Sequence, residues 1–170
     1  MKNRNSFFQT CFFLISILFL CVLGCQNSLA PQFECLDKTQ TGIDFNNTIQ
    51  ETSSFNILTN EYIFNGGGIA VVDFNKDGLP DLYFTGNQVP NRLYLNQGAM
   101  RFEDITQTAQ VAAKSNWSTG VALADVNADG WIDIFVCTAM HKMARENVLF
   151  VHQGLTKEGL PYFKEQAAAF

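Results

Sequence analysis

Apolar residues in the middle of the chain come in short runs separated by polar turns. The first run is Gly68–Val72, small and β-branched, and the second is Asp81–Thr85, after an acidic turn. Gly86-Asn87 and Pro90-Asn91 then break the chain. Arg92–Leu95 is a third run, and Arg101–Ile105 a weaker fourth beyond the tight turn Asn96-Gln97-Gly98. Runs this short, bounded by Gly, Pro, Asn and Asp, predict strands and not helices. The Ala-rich stretch Gln107–Lys114 predicts a short helical turn after them.

The pattern then returns. Gly68–Phe84 is matched residue for residue by Gly120–Val136, 52 positions on. Arg92–Gly98 pairs with Asn147–Gly154, and Phe102-Glu103-Asp104 with Phe163-Lys164-Glu165. The spacing grows along the copy, so the second copy carries longer loops. A period of this size signals a solenoid, propeller or array, and four antiparallel strands in about 50 residues make one propeller blade. The expected fold class is therefore all-β, antiparallel β-propeller blades. The first repeat, with a lead-in strand, is expected over 41–118, and the second, truncated, over 119–170. Closed propellers hold about 4–8 blades, so further blades are expected beyond the C-terminus.

The acidic turns carry the chemistry. Asp73-x-Asn75-x-Asp77-Gly78-x-x-Asp81 recurs as Asp125-x-Asn127-x-Asp129-Gly130-x-x-Asp133. Oxygen side chains at positions 1, 3, 5 and 9 converge when such a loop curls, and the backbone carbonyl of position 7, Leu79 or Trp131, completes the ring. Gly at position 6 takes the sharp turn, as in calcium loops of the EF-hand kind. The donors are all hard oxygens with no His or Cys, which selects Ca²⁺ over zinc or copper, and over magnesium by ligand number. Two Ca²⁺ sites are expected. An EF-hand itself is excluded, because Phe84 and Val136 stand where its bidentate Glu would be and the flanks are strand-like. The ion would pin a hairpin as a structural clip.

These loops and their flanks, Val71–Leu82 and Ala124–Ile134, resemble the FG-GAP or VCBS-type repeat, the calcium-binding blade of integrin α-subunit propellers. They are more similar still to bacterial secreted proteins of ASPIC/UnbV-type or cartilage acidic protein-like architecture. The resemblance covers about Phe45 to Phe170. The family's name motifs are altered, with Asn65-Gly66 where Phe-Gly would stand and Gly86-Asn87 in place of Gly-Ala-Pro. It therefore implies blade architecture and calcium loops, not integrin-type ligand binding.

The N-terminus changes the picture of where the chain works. Lys2 and Arg4 precede an apolar run from Phe12 to Leu23, which ends in Val22-Leu23-Gly24-Cys25. A cationic start, an apolar run and a small residue before the cut make a secretory signal. The Gly-Cys ending resembles a bacterial lipobox, with 1–24 as lipoprotein signal peptide, Cys25 as the lipidated residue and 25–40 as a tether. The expectation is an exported protein of the bacterial cell envelope, held to the membrane by the lipid at Cys25. Cys35 and Cys137 would remain in an oxidising compartment. A disulfide between them and a buried free thiol at Cys137 both fit the sequence.

Net charge is −5, which argues against a nucleic-acid partner. No GxSxG, P-loop, HExxH or GxGxxG motif is present, so no catalytic residue is assigned and a non-enzymatic module is expected. His141, in a basic loop Met140–Arg145, and His152, at a strand end, read as incidental surface residues. Trp117 and Trp131 read as blade-core packing more than as faces for sugars. The expected partners are an envelope protein or glycan. The alternative is an envelope enzyme whose catalytic residues lie beyond residue 170.

Overall fold

The computed structural model describes residues 33–114, 117–139 and 146–166. The expected signal segment, Cys25 and the basic loop with His141 lie outside the described residues. From Leu36 onward the chain forms one unit. Its elements are α1 (Lys38–Thr41), β1 (Ile69–Val72), β2 (Asp81–Phe84), β3 (Arg92–Asn96), β4 (Phe102–Asp104), α2 (Thr106–Ala109), β5 (Ser118–Ala124), β6 (Asp133–Thr138), β7 (Val148–Leu155) and β8 (Pro161–Gln166). The strands form two four-stranded antiparallel sheets, ordered β1-β2-β3-β4 and β5-β6-β7-β8. The chain is thus all-β, built as two propeller-type blades. No helix among the described residues is long and apolar enough to cross a membrane.

Pairing register explains which side of each blade is buried. Opposed residues in antiparallel strands share a face. Ala70 pairs with Tyr83 and Tyr83 with Leu93, which puts all three on one face of the first sheet. In the second, Val121–Val136–Val148 and Leu123–Ile134–Phe150 line one face. These two faces supply a single core, which also takes in Phe74, Ile105, Val111 and Phe163. Burial at roughly 25 cal/mol per Å² of apolar surface makes this shared seam the main hydrophobic contribution to the pair of blades.

Polar groups lock the same seam. The Asn87 side-chain amide donates to the Ser118 carbonyl at 2.9 Å, and the Ser118 amide donates to the Gly86 carbonyl at 3.1 Å. The Thr85 hydroxyl donates to the Thr119 carbonyl at 2.7 Å. Thr85 serves both blades, because its amide also donates to the Gly68 carbonyl at 2.9 Å. A Cβ at Gly67 would run into the Thr85 carbonyl, so glycine is required there. Buried Tyr83 donates to the Val111 carbonyl at 2.8 Å and accepts from the Asn91 side-chain amide at 2.8 Å, fixing the linker between blades.

The lead-in differs from the expected strand. Among the described residues between Gly42 and Gly68 there is no strand, only an isolated Thr52–Phe55 bridge. Asn and Thr side chains bond the backbone locally instead: Asn56 Oδ1 accepts from the Leu58 and Thr59 amides. Such local bonds compete with a sheet ladder. The segment reaches the other face of the first blade, where Phe45 stacks on Phe84 at 5.0 Å and Tyr94 donates to Asp44 at 2.8 Å. The expected tether ends in a helical turn, α1, closed by an Asp37–Gln40 capping box.

Candidate metal loops

The two acidic turns link β1 to β2 and β5 to β6, and they are built alike bond for bond. Asp73 Oδ1 accepts from the Asp77 amide at 3.1 Å and its Oδ2 from the Gly78 amide at 2.8 Å. Asp125 does the same with Asp129 and Gly130, at 3.1 and 2.8 Å. Asn75 and Asn127 donate to Asp77 and Asp129 at 2.8 and 2.9 Å. Asp77 and Asp129 each accept from the amide of position 7, Leu79 or Trp131, at 2.8 Å. Asx side chains that capture the backbone ahead of them curl the chain. The curl is completed by left-handed residues at positions 4 and 6: Lys76 (φ 61°) and Gly78 (φ 88°), then Ala128 (φ 58°) and Gly130 (φ 85°).

Position 9 stands apart from the other three. Asp81 and Asp133 are buried. Asp81 accepts from the Phe74 amide at 2.9 Å and the Asn96 amide at 2.8 Å. Asp133 accepts from the Val126 amide at 2.9 Å and the His152 amide at 2.8 Å. Each carboxylate therefore ties the start of its loop to the third strand of its blade. Burial pushes the Asp81 carboxyl up to about 6, the two amides oppose this, and the charges of Asp77 and Asp73 add to it.

Does this donor set fit a hard cation? Among the described residues no three His, Cys, Asp or Glu side chains already form a closed metal cage. The reason is visible in the bonding, since Asp81 and Asp133 are turned inward onto amides. A carboxylate has about four lone-pair sites, so the bonds seen leave acceptor capacity on every one of these oxygens. The one ion pair among the described residues is Arg92–Asp104, at 2.8 Å, away from both loops. The first loop thus gathers three carboxylates, one of them buried, without an ion-paired cation. Its chemistry fits an oxygen-seeking divalent ion. Asp73, Asn75, Asp77 and Asp81, or Asp125, Asn127, Asp129 and Asp133, would hold it, with Leu79 and Trp131 at the loop exit.

Three differences between the copies, two in the loops and one in the third strand, bear on the seam. Leu79 is replaced by Trp131, Lys76 by Ala128, and Asn96 by His152. His152 is buried and not a surface residue, because it sits mid-strand in β7 facing the seam. Its ring stacks on Trp131 with centroids 4.6 Å apart. Lys76 of the first loop lies 3.8 Å over the Trp131 ring. Trp131 therefore serves the seam and not a sugar face, and Trp117 is buried with Phe55 edge-on at 5.6 Å. Sequence spacing held a signal for His152, because it falls on buried Asn96 when Arg92–Gly98 is laid on the second copy. Cys35 and Cys137 are both free, the first exposed and the second half-buried.

Burial holds the His152 imidazole below its usual range, against the Phe74 carbonyl and the Asp133 and Asp129 charges, which favour the cation; Lys76 pushes it the same way as burial. A base whose folded pKa is depressed contributes stability present above the unfolded value, about 6.5, and lost as pH falls. His152→Asn installs the residue of the first blade. In calcium-free buffer its urea midpoint should gain on that of wild type between pH 7 and pH 5. A constant gap across this range would remove the assignment.

With this geometry in place, the comparisons with known proteins define a class. Residues 73–136, from the first aspartate of one loop through the second loop to β6, match the FG-GAP-like repeat. That stretch is similar to an FG-GAP-like repeat, and the two four-stranded antiparallel sheets are consistent with the propeller blades of such repeats. Among curated proteins it is similar to cartilage acidic protein 1 of Xenopus tropicalis, 31% identical over 99 residues, 58% of this chain and 15% of that protein. It is also similar to cartilage acidic protein 1 of Mus musculus, 36% identical over 69 residues, 41% of this chain and 11% of that protein. The match therefore spans only a small part of either relative. An FG-GAP-like repeat on propeller-type blades points to an interaction module.

Proposed function

We propose that the chain is a non-enzymatic, calcium-clipped interaction module of the bacterial cell envelope. Each acidic loop takes one Ca²⁺, which fastens the hairpin between the first two strands of its blade. The observation that carries this reading is the duplication: two loops with the same oxygen donors and the same hydrogen bonds, 52 residues apart. A plain Asx turn needs neither three carboxylates nor a buried one, since each added charge destabilises the turn unless a cation offsets it. Residues 1–24 would direct export and be removed, Cys25 would carry the lipid, and 25–40 would lead to the blades. The partner would be an envelope protein or glycan held by the assembled propeller, with further blades supplied beyond these two.

The test is thermal unfolding of the lipid-free chain in calcium and in chelator. Ligand at a hundred times its Kd should add about 2.7 kcal/mol per site. Asp73→Asn with Asp125→Asn should abolish most of that gain while leaving the chelator curve nearly in place. Identical curves in calcium and chelator would sink the reading.

A further inference from the structure

The two loops touch each other through groups that the calcium reading does not use: the Phe74 carbonyl and the side chains of His152, Lys76 and Trp131. Phe74 is position 2 of the first loop. Its amide donates to Asp81 at 2.9 Å, and its carbonyl lies 3.1 Å from His152 Nε2. The amide of Gly154 donates to His152 Nδ1 at 2.9 Å. Nδ1 is therefore the acceptor nitrogen, which leaves the proton on Nε2 to be given to the Phe74 carbonyl. The His152 amide in turn donates to Asp133. Two residues thus connect the position-9 carboxylates: Asp81 to Phe74, Phe74 to His152, His152 to Asp133.

A second link runs along the rim. Lys76, position 4 of the first loop, lays its ammonium over Trp131, position 7 of the second. The same ammonium reaches the Gly130 turn, 3.9 Å from where a Cβ on that glycine would sit. Trp131 stacks on His152, so the rim link and the buried link end on one imidazole.

We infer that the two acidic loops bind divalent cations cooperatively, coupled across the blade seam by Phe74–His152 and Lys76–Trp131. This rests on the calcium reading above. The physical basis is ordering. A cation in the first loop fixes the backbone from Asp73 to Asp77, hence the Phe74 carbonyl and the Lys76 stem. Those groups hold His152, whose amide donates to Asp133, and Trp131, which is position 7 of the second loop. The second ion then meets a loop whose ordering cost is already met, which tightens binding. Coupling is reciprocal, so the second loop favours the first by the same factor.

The experiment is calcium titration by calorimetry on the full chain. One loop is disabled at a time, by Asp73→Asn with Asp77→Asn, or by Asp125→Asn with Asp129→Asn. Each remaining loop should bind about 5-fold more weakly than in wild type, at the low end of usual couplings. The same pairs are then made with Trp131→Leu and His152→Asn, which install the residues of the first blade, and separately with Lys76→Ala. Lys76 is exposed, and Ala128 holds its place in the second loop with the same left-handed backbone, so that variant keeps the fold. Either background should shrink the 5-fold factor toward one. Affinity of the remaining loop unchanged from wild type, or tighter, after the other is disabled would overturn the coupling while sparing the calcium reading. No calcium uptake by any variant would overturn both.

Discussion

Asp81→Ala is expected to remove about 4 kcal/mol from the unfolding free energy of the calcium-free protein. The substitution strands two buried amides, those of Phe74 and Asn96. Each unsatisfied donor costs about 1–3 kcal/mol. Relief of a buried negative charge offsets part of this, which keeps the figure near the middle of the sum. The pH dependence tests the same group. The folded carboxyl is raised from 3.8 to about 6. A raised folded pKa gives stability that is complete below the unfolded value and lost as pH rises through the folded one. The deficit of the variant against wild type should therefore be largest near pH 4 and shrink by pH 7. Asp77→Ala makes the control. Asp77 is exposed and its oxygens bond only within the turn, so its loss should cost about 1 kcal/mol and act mainly on calcium binding. Equal costs for the two variants in chelator would show that Asp81 is no brace.

The contrast between these aspartates marks what could be read from the sequence. The strands of the first blade fall within a residue or two of their expected bounds, because Gly, Asn and Pro punctuate them, whereas β7 runs on to Leu155 through the copy of the Asn96-Gln97-Gly98 turn. The acidic loops were legible for the same reason: Asx turns are made by residues a few positions apart. The inward anchoring of Asp81 depends on Asn96, 15 residues on and in the adjacent strand, and no local pattern encodes it. His152 was read as a surface residue because its hydrogen-bond partner, Phe74, is 78 residues away. The lead-in strand failed differently. Residues 42–68 have apolar positions enough for a strand, but side-chain bonds such as those of Asn56 take up the backbone groups that a ladder would need. What remained hidden was the seam, where each residue gains meaning only from the other copy.

That seam gives the second large effect. Phe74→Ala should cost about 4 kcal/mol, the usual range for emptying a buried aromatic site being about 3–5. The Phe74 side chain is 1% exposed. Its ring meets Phe163 of the second blade edge-on at 5.5 Å, an arrangement that adds to its burial. Its position in the first loop is filled in the second by Val126, which is 48% exposed. Val126→Ala should therefore stay within about 0.5 kcal/mol of wild type. Urea unfolding of both variants in chelator makes the comparison without any cation. The backbone of Phe74 is untouched by the substitution, so the carbonyl that accepts from His152 stays in sequence. A loss well above that for Val126→Ala assigns the cost to apolar contact between blades. Similar small losses in both would mean that the blades hold together through the polar bonds at Thr85, Asn87 and Ser118, and that the shared apolar core contributes little at this point of the seam.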